Sequence, residues 1–76
     1  MRKKITAEEF YSWFQEELQV EKQLTGKENF RDLPKWSSLN ALILMTQTLE
    51  KWNVILTADD LSNCVTVEDI WKKITH

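Results

Sequence analysis

The side chains with any local context for nucleophilic chemistry are few: the adjacent hydroxyls of Ser37 and Ser38 and the single thiol of Cys64. A serine or cysteine nucleophile needs a base beside it, and the one histidine, His76, is the last residue. The twelve acidic residues are scattered, and no two mark themselves as a general acid/base pair. With one glycine, Gly26, a glycine-rich phosphate loop is excluded. Cys64 has neither a second cysteine nor metal-ligand neighbours, so no intramolecular disulfide and no metal site are expected, and a thiol-reducing compartment fits. The chain reads as a non-enzyme without catalytic residues.

That leaves the serine pair, which opens an apolar segment. Two readings fit it. Serine is among the best helix N-caps, so a structural role accounts for it. Capping is the reading local sequence favours, but a hydroxyl at a helix N-terminus after a long loop is also accessible to a modifying enzyme. A phosphodiester formed there would lie near free backbone amides and the positive end of the helix dipole. Local sequence leaves both open.

The elements that must position this pair can be read from periodicity. Thr6-Ala7-Glu8-Glu9 has capping-box spacing. Phe10, Trp13, Phe14 and Leu18 follow on one helical stripe, which predicts a first helix over about 6–19. From Val20 to Trp36 the pattern breaks down around Gly26 and Pro34, so a long loop is expected, anchored by Phe30 and Leu33. A second helix starts at Ser37-Ser38 and runs to Trp52. Its apolar face collects Ala41, Leu42, Leu44, Met45, Thr48, Leu49 and Trp52, while Ile43 falls on the polar side with Leu39 at the same edge. Thr57-Ala58-Asp59-Asp60-Leu61 predicts a short capped helix. Thr66-Val67-Glu68-Asp69 caps a last one, whose Val67, Ile70, Trp71 and Ile74 face the core. No strand-like alternation appears. The fold class is all-α: a small four-helix bundle of three longer helices and one short one, with a long loop between helices I and II, forming a single domain over residues 1–76.

Composition narrows the partners. A chain of 76 residues buries only about 60% of its unfolded surface, and four Trp, three Phe and one Tyr supply the apolar density that requires. Ten basic and twelve acidic residues, net charge -2, are too balanced for nucleic acid. Arg2-Lys3-Lys4 reads as a solvated end. No apolar run approaches the roughly 20 residues of a membrane span, and no apolar segment follows the basic residues as in a secretory signal. A cytoplasmic monomer is expected.

Trp36-Ser37-Ser38-Leu39, followed by Asn40-Ala41-Leu42-Ile43-Leu44-Met45, resembles the Asp-Ser-Leu motif and second helix of acyl carrier proteins. Leu49-Glu50-Lys51-Trp52-Asn53-Val54 is similar to that family's end of helix II, and Thr66-Val67-Glu68-Asp69-Ile70 to the start of its last helix. Ser38, Trp52 and Thr66-Val67 fall where the family places its modified serine, helix II aromatic and helix IV cap, without a gap. Phe30-Arg31-Asp32-Leu33-Pro34 resembles the segment before the serine with a one-residue shift. The resemblance covers about residues 30–74.

The resemblance implies a covalent 4′-phosphopantetheine arm on Ser38, moved there from coenzyme A by a phosphopantetheinyl transferase. It also implies an acyl or aminoacyl thioester on the arm, exchanged with acyl-loading and acyl-transfer enzymes of fatty-acid, polyketide or other specialised biosynthesis. Leu42, Met45, Trp52, Ile70 and Trp71 would line the interior, and Trp36 would shape the loop before the serine. Two departures matter. The family's aspartate is Ser37 here, a second candidate hydroxyl, although register and Leu39 favour Ser38. Helix II is nearly neutral, since Glu50 and Lys51 cancel and Asn40 and Ile43 occupy positions that are often acidic. Partner enzymes would then read Leu39 and Ile43 by apolar contact more than by charge. The rival reading is an unmodified helical interaction module using that same edge.

Overall fold

The computed structural model describes residues 5–75; Arg2-Lys3-Lys4 and His76 lie outside them. The described residues form four α-helices and no strand: α1 (Ala7–Glu17), α2 (Ser38–Trp52), α3 (Ala58–Ser62) and α4 (Val67–Thr75). The expected all-α class holds.

Local chemistry explains each helix limit. Thr6 Oγ1 accepts from the Glu9 amide at 3.1 Å, with Glu8 and Glu9 in the positive first turn of α1. At the other end the amides of Gln19 and Val20 return to the carbonyls of Glu16 and Gln15, and Gln19 takes a left-handed φ of 52°. This is the Schellman arrangement, with glutamine where glycine is usual. Asn53, at φ 56°, stops α2 in the same left-handed region. α3 carries a full capping box between Thr57 and Asp60. Thr66 and Asp69 make the same reciprocal pair at α4, with bonds of 3.0 and 3.2 Å.

Phe10, Phe14, Leu18, Leu44, Val67, Ile70 and Ile74 are buried together, as their periodicities require. Trp13 is half-buried and meets Trp52 edge-on at 5.6 Å, which joins α1 to α2. Trp71 is half-buried too, because its indole N–H reaches the carbonyl of Ile5 at 3.0 Å. Thr48 is fully buried and bonds its hydroxyl back to the Met45 carbonyl at 3.0 Å, which removes an unpaired polar group from the core.

The segment from α1 to α2 is ordered by its own contacts. A 3₁₀ turn over Phe30–Asp32 buries Phe30 completely and leaves Leu33 half-buried. Upstream, the Glu28 carboxylate accepts from the Thr25 and Gly26 amides at 2.9 Å each. The Gly26 and Glu28 carbonyls then accept from the Glu68 and Val67 amides, at 2.8 and 3.0 Å. The loop therefore satisfies two of the otherwise free amides that begin α4. Gly26 has φ +97°, the left-handed region that favours glycine, and a Cβ there would press on the Tyr11 phenol and require it to shift.

The expected inner face of α2 needs a correction. Ala41, Leu44, Met45, Thr48 and Trp52 do pack inward, but Leu42 is 57% exposed and Leu49 48% exposed. Ile43, placed on the polar side by periodicity, is half-buried. The covered arc of α2 is rotated towards its Ile43 edge. The period of about 100° per residue fixes which residues share a face, but not where the neighbours lie.

Candidate functional site

α2 begins differently from the other three helices. Ser37 occupies its N-cap position with extended backbone, yet its side chain caps no amide. Its hydroxyl donates instead to Asn40 Oδ1 at 2.9 Å. No acidic residue lies in the first turn. Ser38 is the first helical residue; it is exposed, and its hydroxyl has no hydrogen-bond partner among the described residues. Neither serine side chain does the capping work that the bland reading of the pair required.

Beside the two serines lies an open cleft of about 430 Å³, walled by Phe30, Arg31, Trp36, Ala41, Met45 and Leu61. Three elements make it: the 3₁₀ turn, α2 and α3. Phe30 and Leu61 are buried and form firm walls. Trp36 stands edge-on to Phe30 at 4.9 Å and lies 6.1 Å from Phe14, so the residue just before the serines is wedged against the core.

Arg31 belongs to the segment before the serines, and nothing in the sequence marks its side chain for a structural role. Its Nη1 donates to the Cys64 carbonyl and its Nη2 to the Leu61 carbonyl, both at 2.7 Å, and its Cζ sits 4.5 Å from the Phe30 ring centroid. Bonds spanning 30 and 33 residues leave no periodic trace, so only the topology reveals them. Cys64 itself is 1% exposed, with its Sγ 3.2 Å from the Asp60 carbonyl. Burial, then the charge of Asp69, pushes the thiol pKa upwards, which disfavours the thiolate. Among the described residues no three His, Cys, Asp or Glu side chains converge on a point that could hold a metal.

The two residues expected to meet partners divide. Leu39 is 65% exposed, whereas Ile43 is half-buried. Leu42 and Leu49 are exposed with Leu39, three and ten residues beyond it on the outward side of α2. Leu39 and Leu42 flank the serine end, so the apolar edge begins beside the candidate site.

No family model, curated protein or solved structure matches the chain.

Among the described residues no helix is long and apolar enough to cross a membrane.

Proposed function

We propose that the chain is a non-catalytic carrier whose Ser38 bears a 4′-phosphopantetheine arm, holding an acyl or aminoacyl group as a thioester. In this reading the four helices form a small bundle with a long ordered connection between the first two. The protein works as a cytoplasmic monomer, handing its cargo between acyl-loading and acyl-transfer enzymes of fatty-acid, polyketide or related biosynthesis. One observation carries the reading: Ser38 is an exposed, unbonded hydroxyl at the start of α2, while its neighbour Ser37 is engaged by Asn40.

The residues present fit such an arm. Loading forms a bond from Ser38 Oγ to the pantetheine-bearing phosphorus of coenzyme A, releases adenosine 3′,5′-bisphosphate and passes the hydroxyl proton to a base of the transferase. An N-terminal turn with no side-chain cap and no carboxylate leaves its amides and dipole free to face a phosphodiester. The walls of the adjoining cleft, apolar at Phe30, Trp36, Met45 and Leu61 with Arg31 beside them, suit the gem-dimethyl and amide groups of a pantetheine arm leaving that phosphate. Engagement of Ser37 by Asn40 also supports Ser38 over Ser37 as the attachment point.

Intact-protein mass spectrometry after incubation with coenzyme A and a broad-specificity phosphopantetheinyl transferase tests this. A single added phosphopantetheine is expected on the wild type and on Ser37→Ala, and none on Ser38→Ala. An unmodified wild type would remove the carrier reading. The second reading, an unmodified interaction module, draws on Leu39, Leu42 and Leu49, an exposed apolar edge whose use requires no arm.

A further inference from the structure

Arg31 ties the 3₁₀ turn to α3 beside the Ser38 cleft. It projects from the 3₁₀ turn, lines the cleft and donates to two carbonyls at and just beyond the end of α3. Those carbonyls carry the negative end of that helix, which suits a cation. One planar guanidinium bonded to two carbonyls is fixed in orientation as well as in position, which a lysine ammonium cannot reproduce. A third contact, with the face of Phe30, completes the hold. Phe30 in turn wedges Trp36, which adjoins Ser37. A continuous run of contacts thus leads from α3, through Arg31, Phe30 and Trp36, to the start of α2.

We propose that Arg31 is a positioning residue for the modification of Ser38. It sets the spacing between α3 and the N-terminus of α2, and so presents the serine hydroxyl to the transferase in one geometry. This inference rests on the carrier reading above. It assigns Arg31 no contact with the reacting atoms. Small displacements of a reacting group can lower rates by about a hundredfold, so the hold should appear in the loading rate more than in global stability.

The test compares wild type, Arg31→Ala, Arg31→Lys and Ile74→Val. The last is a core substitution that lowers stability away from the cleft. Loading from coenzyme A is followed at a temperature where circular dichroism shows every variant folded. We expect kcat/KM for loading to fall about tenfold or more in both Arg31 variants, while Ile74→Val loads at the wild-type rate. Arg31→Ala loading like wild type would overturn the proposal. So would wild-type loading by Arg31→Lys alongside a slow Arg31→Ala, because charge and not the two-carbonyl hold would then be at work. If the wild type takes no arm at all, the carrier reading fails, and amide exchange at residues 37–40 decides for Arg31 separately. Exchange faster in Arg31→Ala than in Ile74→Val supports the hold; equal exchange removes it.

Discussion

At the residue scale, the serine pair shows how a local propensity argument and a structure can part company. Serine before a helix is ordinarily a cap, and three threonines in this chain do cap their helices. Ser37 and Ser38 do not, so Ser38→Ala should change thermal stability by less than about 0.5 kcal/mol, well short of the roughly 1 kcal/mol of a lost cap. Thr57→Ala supplies the contrast: it should cost about 1 kcal/mol by chemical denaturation. Two carboxylates that accept from backbone amides, one in the loop before α2 and one at the start of α4, give a pH signature. At Glu28 burial acts to raise the pKa, but the donors of Thr25 and Gly26 outweigh it and hold the carboxyl below its ordinary 4.5. At Asp69 the amides of Thr66 and Val65 hold it below 3.8. Folded values below unfolded ones mean the stabilisation is complete above about pH 4.5 and is lost as pH falls through the lowered values. Glu28→Gln should therefore melt earlier than wild type at neutral pH and converge with it in acid, which thermal melts across pH will show.

At the element scale, caps and stripes made the helices legible, because they depend on neighbours three and four residues apart. Phe10, Phe14 and Leu18 announced α1, and Thr57-Asp60 and Thr66-Asp69 announced α3 and α4 through spacing alone. Two things escaped. The open edge of α2 at Leu42 and Leu49 depends on where other elements lie, and the hold of Arg31 spans 30 and 33 residues. The loop before α2 was legible as a break, yet its internal order comes from Glu28, the Gly26 backbone and α4. Two backbone predictions follow from left-handed residues. Gly26→Ala combines a φ of +97° with a forced shift of the Tyr11 phenol, and should cost more than about 1 kcal/mol by denaturant titration. Gln19→Gly relaxes a left-handed glutamine and should raise stability by about 0.5–1 kcal/mol.

At the scale of the whole molecule, charge offers little long-range guidance to a partner, since the net charge is -2 and α2 is nearly neutral. On the carrier reading, recognition would then fall to the outward leucines. A Leu39→Ser and Leu42→Ser double variant should unfold within about 1 kcal/mol of wild type, because both side chains are more than half exposed. On the carrier reading its loading by the transferase should weaken, with the change seen in KM more than in the melting curve. The bonds from Gly26 and Glu28 to the first amides of α4 have a further meaning for anyone who wishes to lengthen or cut this chain. A peptide tag or protease site inserted at residues 21–23, all exposed and upstream of the glycine, would lie on the free side of that clasp. The same insertion at 27–28 would pull the two carbonyls out of register and cost the chain its last helix. Two places a few residues apart in one connecting segment thus differ between a convenient handle and a break in the fold.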